Sequence, residues 1–414
     1  MLRARSRARS SAWIVHTNRV IPEPRPATRR QVPSSADLSP WPLSPCTRLA
    51  AVGEELINVF DFERAAAAKL EPGVLGYFAG GAGDEVTLRD NVAAWRHWRL
   101  LPRALAGVGE VSTAAEVLGG PLSMPILVAP VAYQRLVDPE GELAMARAAA
   151  AAGTVMGLST LATARPGEVA AAAPGGRRWF QLYCFRDRTV TQALVDEAVA
   201  HGFEAIVLTV DAPRGGNRER DLRSGFAIPA ELGVPSVRAA LGVDREVTIA
   251  ETFALMDQAL DWDDLAELAD SSPLPVLVKG LLSAEDAELA LRHGAAGVVV
   301  SNHGGRQLDR ALATGDALPE VVDAVDGRGA VFVDGGIRRG VDVATALALG
   351  ADAVLVGRAA LWGLAVGGEE GVRRVLELLR GELELTLALC GCANPSELGR
   401  GHVRRAPATS VYSV

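Results

Sequence analysis

Lysine is nearly absent from this chain of 414 residues: Lys69 and Lys279 are the only two, and all other basic residues are arginines. Coding bias accounts for the many arginines. Because so few lysines remain, each of the two is a candidate for a specific role. Aromatic residues contribute only 5% of the composition, and the net charge is -8. A negative balance gives no electrostatic reason to expect nucleic acid as a partner.

Long apolar runs are also missing. The nearest approach to a transmembrane segment, at 351–367, is interrupted by Asp352 and Arg358. A span needs about 20 consecutive apolar residues. We therefore expect no membrane association.

Cysteines are too few and too scattered to form a metal site. The four residues, Cys46, Cys184, Cys390 and Cys392, match no zinc-binding spacing. We predict free thiols and no metal. A reducing compartment, and therefore the cytoplasm, is the expected location.

Residues 1–48 differ in composition from everything that follows. They contain nine arginines and only two acidic residues, with many prolines and serines and no hydrophobic periodicity. This composition predicts a disordered basic N-terminal arm. A transit peptide has a similar composition, and an over-long reading frame is a further alternative.

The remainder is dominated by alanine, valine, leucine and glycine in a repeating pattern. Eight short apolar runs alternate with alanine-rich segments of helical spacing. The runs lie at 126–129, 154–158, 179–183, 205–211, 275–279, 297–302, 330–334 and 352–356. The alternation predicts an α/β fold, a (β/α)8 TIM barrel, rather than an open doubly wound sheet, since no glycine-rich fingerprint follows the first strand. We place this domain at 49–404, with an N-terminal helical extension and a C-terminal tail at 405–414.

One connection is far longer than a loop between a strand and a helix requires. About 60 residues separate Asp211 from Pro275, whereas a few usually suffice. We interpret 212–261 as a lid after the fourth strand, because long loops on a rigid scaffold often carry function. We also expect disorder over part of 222–260.

Unusual polar residues follow six of the predicted strands. They are Gln181 with Tyr183, Asp211, Lys279, the run Ser301-Asn302-His303, Asp334 and Arg358. In a TIM barrel the active site forms at the carboxyl ends of the strands. One polar residue could lie at a strand end by chance, but polar residues at the ends of six strands predict a functional site at this end of the barrel.

The loops after the seventh and eighth strands fit a phosphate site. Residues 334–338 read DGGIR, and Gly357-Arg358 follows about twenty residues later. Backbone amides at glycines and helix N-termini bind phosphate, and Arg338 and Arg358 add charge-assisted hydrogen bonds. Tight turns with solvated arginines are the alternative interpretation.

The stretch VVVSNHGGRQLD at 298–309 combines a proton acceptor with a carboxylate clamp. His303 can exchange a proton near neutral pH, and Arg306 offers a planar fork for a carboxylate. Asp211 ends a nearby strand and is placed to orient the imidazole. The pattern indicates chemistry on a small organic acid.

Further candidates surround this pair. Arg214, Tyr77 and Tyr183 would supply donors to a carboxylate, although the small residues after Tyr77 favour simple packing. Lys279 ends the fifth strand, where a buried ammonium needs an anion or an electron-rich ring. It fits either a Schiff-base lysine of an aldolase or a lysine that stabilises a reduced cofactor.

These residues resemble the FMN-dependent 2-hydroxy-acid oxidase and dehydrogenase family, which includes glycolate oxidase and lactate oxidase. The resemblance covers about 59–403. Its motifs are SNHGGRQLD at 301–309, LTVDAPRGGNRERD at 208–221, DGGIRRG at 334–340 and FQLY at 180–183. It implies an FMN-binding barrel that oxidises an (S)-2-hydroxy acid to a 2-oxo acid.

The resemblance also implies roles for individual positions. His303 matches the base that takes a proton as electrons pass to flavin N5, Asp211 matches its partner, and Lys279 matches a lysine beside flavin N1. The implied substrate-binding residues are Tyr77, Tyr183, Arg214, Arg306 and Leu161, of which Tyr183 and Arg306 also belong to the catalytic set. The implied FMN-binding residues are Pro130, Val131, Ala132, Ser159, Gln181, Tyr183, Thr209, Lys279, Ser301, Asp334, Gly335, Gly336, Arg338, Gly357 and Arg358.

Two positions depart from the family pattern. Leu161 stands where glycolate oxidase has a tryptophan over the substrate, and Tyr133 is bulkier than the residue often found there. We therefore expect a medium-chain or apolar 2-hydroxy acid rather than glycolate. Ala132 resembles the oxidases of the family. Oxygen or another molecule is the expected electron acceptor, and the family suggests a homotetramer or octamer.

Two other functions stay open at this point. A non-redox flavin isomerase shares this type of barrel, but its diphosphate substrate would not need His303 and Arg306. A flavin-binding protein without turnover, or an enzyme acting on a large substrate, is the other alternative.

Overall fold

The computed structural model describes residues 56–407 of the chain. The predicted basic arm at 1–48 and the last seven residues of the predicted tail lie outside the described residues.

Eight parallel strands form the centre of the molecule. They are β1 Ile126–Val128, β2 Val155–Ser159, β3 Arg177–Leu182, β4 Ala205–Thr209, β5 Val276–Leu281, β6 Gly297–Val300, β7 Ala330–Val333 and β8 Ala353–Val356. Each strand pairs with its sequence neighbours, and β8 returns to pair with β1 through Val354 and Ile126. The predicted TIM barrel is confirmed, because an open sheet would leave its two edge strands unpaired.

Helices precede the barrel and surround it. Within the described residues they are α1 Val59–Lys69, α2 Pro72–Ala79, α3 Val86–Ala94, α4 Gly141–Ala151, α5 Pro166–Ala172, α6 Arg188–Ala200, α7 Glu219–Ser224, α8 Pro235–Leu241, α9 Ile249–Leu255, α10 Trp262–Ser271, α11 Ala284–Arg292, α12 Thr314–Val325, α13 Gly340–Leu349 and α14 Arg358–Cys390. α14 bends at Gly367 and Gly368, whose dihedral angles are not helical. None of these helices has the length and apolarity needed to cross a membrane.

Local sequence signals account for several helix starts. Asn58 and Asp61 form a capping box at α1, and Asp261 and Asp264 form another at α10. Pro72 occupies the first turn of α2, where its missing N–H leaves no hydrogen bond unmade. The starts of α1, α2 and α10 therefore follow from their local sequences.

Two short antiparallel strand pairs lie outside the barrel. Trp98–Leu100 pairs with Val403–Arg405, and Ala115–Val117 pairs with Gly120–Leu122. The chain that follows α14 thus returns to the segment that precedes β1. Arg405, the first residue of the predicted tail, belongs to the first of these pairs.

Apolar side chains fill the barrel interior. Leu127, Trp179, Leu277 and Phe332 are all buried there. The rings of Trp179 and Phe332 meet edge to face, with centroids 5.1 Å apart and planes at 69°. A filled interior leaves space for a ligand only at an end of the barrel.

The lid at 212–261 is folded, and the expected disorder within 222–260 is not observed. α7, α8 and α9 lie in this segment. Val234 and Val237 are fully buried, and Thr248 caps α9. Apolar residues at helical spacing therefore give the lid a buried face that orders it.

Candidate active site

A cleft lies at the carboxyl end of the barrel, and all eight strands or the loops after them contribute to its wall. Most of the predicted site residues line it. They are Tyr77, Pro130, Val131, Ala132, Ser159, Leu161, Gln181, Tyr183, Thr209, Lys279, His303, Arg306, Asp334, Gly335, Gly336, Arg338, Gly357 and Arg358. Asp211 and Ser301 lie directly behind His303 and Lys279, whereas Arg214 is not part of the wall.

His303 and Asp211 form a pair in this wall. Nδ1 of His303 lies 2.8 Å from Oδ1 of Asp211. Burial raises the pKa of Asp211, but the charges of His303 and Lys279 outweigh burial and hold the pKa below its ordinary value. Asp211 is therefore a carboxylate that orients the imidazole, and Nε2 is the ring nitrogen left for a ligand.

A left-handed backbone segment presents His303 to the cleft. The angle φ is 58° at His303, 63° at Gly304 and 74° at Gly305. This conformation is unfavourable for histidine, and surrounding contacts must hold it. The N–H of His303 donates to Oγ of Ser301, and the N–H of Gly305 donates to Oδ1 of Asn302, both at 3.1 Å. The left-handed backbone therefore explains why glycine occupies positions 304 and 305.

A further glycine makes room for Asp211. Gly280 has a φ of 113°, and a Cβ at this position would lie 2.6 Å from Cβ of Asp211. Any side chain at position 280 would therefore displace Asp211 from His303. A glycine at position 280 is therefore required for the contact between Asp211 and His303.

Lys279 is buried and contacts two oxygen atoms. Its Nζ donates to Oγ of Ser301 at 2.8 Å and lies 3.2 Å from Oδ2 of Asp334. Burial lowers the pKa of the ammonium, but Asp334 and Asp211 outweigh burial and raise the pKa above its ordinary value. A lysine that stays protonated is a poor Schiff-base nucleophile, so the aldolase interpretation is disfavoured. A fixed positive charge instead suits a cofactor that becomes anionic.

Two arginines face the ring of Tyr77. The guanidinium carbon of Arg306 lies 5.1 Å from the ring centroid, and that of Arg218 lies 5.6 Å from it. Burial, followed by the neighbouring charge of Arg218, lowers the pKa of Arg306. Two guanidinium groups against one ring, one of which lowers the pKa of the other, favour an anion in this part of the cleft.

The structure corrects one predicted residue, because Arg218 occupies the cleft and Arg214 does not. The side chain of Arg214 is exposed, and its carbonyl oxygen accepts a hydrogen bond from Nε2 of Gln307 at 2.9 Å. Arg218 immediately precedes α7, and its Nε lies 3.5 Å from Oδ2 of Asp221 on that helix. The place of Arg214 after β4 and the family resemblance both predict a substrate contact, but residues 213–215 are all exposed.

Two further arginines, Arg338 and Arg358, add positive charge to the cleft wall. Arg358 donates to three backbone carbonyl oxygens, each at 2.8 Å. Burial, together with Arg306 and Arg338, lowers the pKa of Arg358 to about 9. A guanidinium remains charged in proteins, so a bound anion would stabilise this buried cation and offset the charges of its two arginine neighbours. Arg358 also begins α14, whose first N–H groups have no partner within the helix.

Three buried polar atoms of the cleft wall have no hydrogen-bond partner among the described residues. They are Nε2 of Gln181, Oγ1 of Thr209 and Oδ1 of Asp334. Buried polar groups are seldom left unsatisfied, so these atoms indicate a polar ligand. An amide and a hydroxyl suit the polar edge of a flavin ring, a carboxylate suits a polyol, and the arginines suit a phosphate. The residues present therefore fit FMN.

Besides Arg218, helix α9 of the lid supplies two wall residues that the sequence analysis did not name. Ile249 and Phe253, one turn apart on α9, line the cleft together with Leu161. The ring of Phe253 lies 6.3 Å from that of Tyr183. Their four-residue spacing indicates one face of a helix, but the expectation of disorder in this segment left that face unassigned. Tyr133 is buried and does not line the cleft.

Comparison with known proteins shows the family of the chain. The family model described as FMN-dependent dehydrogenase matches residues 66–405. L-lactate oxidase from Nostoc sp. is 48% identical over 351 residues, which is 83% of this chain and 96% of that protein. Glycolate oxidase 3 from Arabidopsis thaliana is 48% identical over 355 residues, 84% of this chain and 96% of its own length.

Solved structures show the same likeness. A mandelate oxidase variant with 2-hydroxy-phenylacetamide superposes with a TM-score of 0.77 at 43% identity, covering 85% of this chain and 99% of the other. A variant of an active chimera of (S)-mandelate dehydrogenase gives a TM-score of 0.80 at 40% identity, covering 84% and 99%.

The barrel and its cleft define a flavin-dependent oxidoreductase. The chain belongs to the FMN-dependent dehydrogenase family, whose relatives here oxidise 2-hydroxy acids. It is accordingly an FMN-dependent enzyme of the 2-hydroxy-acid oxidase and dehydrogenase type.

Proposed function

We propose that this enzyme oxidises an (S)-2-hydroxy acid with an apolar side chain to the 2-oxo acid, with His303 as the base. The observation that carries the proposal is the His303–Asp211 pair, 2.8 Å apart, which faces the same cleft as Arg306, Arg218 and Tyr77. A base and a carboxylate-binding group in one cleft are what a 2-hydroxy acid requires.

The proposed role of His303 is to take a proton from the substrate at Nε2. The resulting imidazolium is stabilised by the carboxylate of Asp211 on its other nitrogen. Because Asp211 stays ionised, it also holds the imidazole in one orientation. His303 therefore acts as a general base without needing a second titratable residue in the cleft.

The proposed clamp for the substrate carboxylate is formed by Arg306 and Arg218, whose guanidinium groups both lie against the ring of Tyr77. Tyr183 completes the substrate contacts. Burial and the nearby charge of Asp211 raise its pKa, so the phenol remains a hydrogen-bond donor at neutral pH. Charge-assisted contacts from two arginines also fix the direction in which the hydroxyl-bearing carbon points.

FMN, when bound, supplies the electron acceptor for this reaction. We propose that Gln181, Thr209 and Lys279 contact its ring, that Asp334 contacts its polyol, and that the loop of Arg338 and the start of α14 hold its phosphate. The remaining proposed contacts are Pro130, Val131, Ala132, Ser159, Ser301, Gly335, Gly336, Gly357 and Arg358. The three unsatisfied polar atoms support this placement.

The proposed preference for an apolar substrate rests on three wall residues. Leu161, Ile249 and Phe253 line the cleft with aliphatic or aromatic surface. Burying a hydrophobic side chain against such a surface is favourable by about 25 cal/mol per Å2, and glycolate has no side chain to bury. Mandelate oxidases among the similar structures make an aryl 2-hydroxy acid a suitable first substrate. Tyr133 does not line the cleft, so it gives no support to this preference.

Other properties of the enzyme stay predictions. We propose oxygen or another small acceptor as the oxidant, a homotetramer or octamer as the assembly, and the cytoplasm as the location. Each is suggested by composition or by the family. Comparing reoxidation by oxygen with reoxidation by a quinone would separate an oxidase from a dehydrogenase.

The experiment that tests the proposed function is spectroscopic. Purified protein should be yellow, and anaerobic addition of (S)-mandelate or (S)-2-hydroxyoctanoate should bleach the flavin absorbance. His303→Gln should retain FMN and lose the bleaching. A wild-type flavoprotein that no 2-hydroxy acid reduces would leave a flavin-binding protein without this activity, and a His303→Gln variant reduced at the normal rate would exclude His303 as the base.

A further inference from the structure

Arg218 is the proposed substrate contact that comes from the lid. It immediately precedes α7 and lies against the ring of Tyr77, which belongs to α2. Asp221, on the first turn of α7, lies 3.5 Å from Nε of Arg218. The position of Arg218 in the cleft therefore depends on how α7 is held against α2.

A single ion pair joins α7 to the segment after α2. Nη2 of Arg220 lies 2.5 Å from Oε2 of Glu85. The other oxygen of Glu85 accepts the N–H of Gly81 at 3.0 Å. Burial raises the pKa of Glu85, but the hydrogen bonds from Arg220 and Gly81 outweigh burial and lower it, so Glu85 is ionised at neutral pH. Glu85 and Arg220 are called the anchor pair below.

Close packing on both sides of the anchor pair makes the contact specific. A Cβ at Gly73 of α2 would lie 2.7 Å from the ring of Phe226, just beyond α7. The rings of Phe226 and Tyr77 lie 5.9 Å apart. The N–H of Gly83 donates to the carbonyl oxygen of Asn217, next to Arg218, at 2.9 Å. The lid can approach α2 this closely because position 73 has no side chain.

We infer that the anchor pair is a positioning device: it holds α7 against α2 and thereby places Arg218 over Tyr77 for the substrate carboxylate. Neither Glu85 nor Arg220 lines the cleft, so the pair acts through Arg218 and not on the substrate. The inference deepens the proposed function and depends on it only through the role of Arg218.

The chain offers a matched control on the same helix. Arg223 pairs with Glu219 at 2.5 Å, one turn apart on α7, and its side chain is 78% exposed. This pair lies within α7 and does not connect it to α2. Arg223→Ala therefore removes an arginine and an ion pair from α7 while leaving the anchor pair intact.

The first measurement is hydrogen–deuterium exchange in the FMN-bound full-length protein. Arg220→Ala and Glu85→Gln should increase exchange both in 216–226 and in 80–86. Glutamine at 85 keeps an oxygen for the N–H of Gly81, so the effect comes from the lost charge and not from a lost hydrogen bond, and Arg220→Ala isolates the ion pair. Arg223→Ala should leave 80–86 unchanged. Unchanged exchange in 80–86 in all three variants would overturn the inference, whatever the enzyme's substrate.

The second measurement is steady-state kinetics with the substrate that bleaches the wild-type flavin. Arg220→Ala and Glu85→Gln should raise KM roughly fivefold, with kcat within about twofold of wild type. The double variant should be no worse than the worse single variant, since both changes break one contact. Arg220→Lys should restore most of the loss, and Arg223→Ala should match wild type.

The two possible failures can be told apart. A wild-type protein that no 2-hydroxy acid reduces would refute the proposed function, while the exchange measurement still tests the anchor pair. An active wild type whose KM is the same in Arg220→Ala and Arg223→Ala would refute the anchor pair alone. Melting temperatures close to wild type would show that a rise in KM does not come from general unfolding.

Discussion

Asp211 and His303 stand 92 positions apart in sequence, and their side chains meet at 2.8 Å. Asp211 follows β4 and His303 follows β6, with Lys279 of β5 between them. Gly280 leaves the space that Asp211 occupies. The pair thus depends on three neighbouring strands ending at the same level of the barrel.

Replacing Asp211 with asparagine should show how much the negative charge at position 211 contributes, apart from the orientation that it gives to His303. Asp211→Asn keeps the shape but removes the carboxylate that stabilises a protonated His303. We expect the rate of anaerobic flavin reduction to fall by about two to four orders of magnitude, as for carboxylate loss in other histidine-based sites. Stopped-flow absorbance measures this rate, and retained FMN absorbance is the control. A rate within about threefold of wild type would contradict the assigned role of Asp211.

Substitution of the two lid arginines tests the correction made above. Arg218→Leu should lower kcat/KM by about tenfold to a hundredfold, because a charge-assisted contact with the carboxylate is lost. Arg214→Leu is the matched control, since its side chain is exposed and outside the cleft, and it should change kcat/KM by less than about twofold. The reverse order of effects would restore Arg214 as the substrate residue.

A tryptophan at position 161 should narrow the apolar part of the cleft. Leu161→Trp is expected to lower kcat/KM for mandelate relative to that for glycolate by about tenfold or more, since pocket size discriminates on this scale. Leu385→Trp is the control, because Leu385 is 59% exposed on α14. A ratio of the two kcat/KM values that does not change would show that Leu161 does not select the substrate.

Asp342 should make stability depend on pH. Its Oδ2 accepts the N–H groups of Arg338 and Arg339, each at 2.9 Å, and burial raises its pKa to about 6. The carboxyl of Asp342 binds its proton more tightly in the folded protein than in the unfolded chain. Its stabilising contribution to the free energy of unfolding is therefore full below about pH 4 and is lost as the pH rises to about 6.

The variant Asp342→Asn removes this titration and keeps an oxygen for both N–H groups. Its free energy of unfolding, relative to wild type, should therefore rise between about pH 4.5 and about pH 7.5, by on the order of 1 kcal/mol. Urea unfolding of the FMN-free proteins at both pH values measures the difference, in which other titrating groups cancel. A difference that is constant or falls with pH would refute the assignment.

Much of the barrel could be predicted because the relevant signals are local. Six of the eight apolar runs, such as 297–302, end in or are followed by polar residues that a buried strand would not tolerate. Parallel strands in a closed barrel all present their carboxyl ends on one side. His303, Lys279 and Asp334 could therefore be assigned to one cleft from their places at strand ends alone.

The lid could not be predicted in the same way. The sequence between Asp211 and Pro275 contains several arginines at similar spacing, and no periodicity distinguishes Arg214 from Arg218 as the one that enters the cleft. The choice follows from the packing of α7 against α2, which is a contact between segments far apart in the chain. Ile249 and Phe253 reach the cleft for a similar reason, because the lid folds back over it.

The amino-acid sequence by itself determined the barrel, the residues at its rim and the kind of chemistry they support, since these follow from strand periodicity and side-chain type. Only the tertiary structure decided which lid residues line the cleft. Long loops have few local constraints, so Arg218 is placed by the docking of α7 through Glu85 and Arg220, and not by its position in the motif.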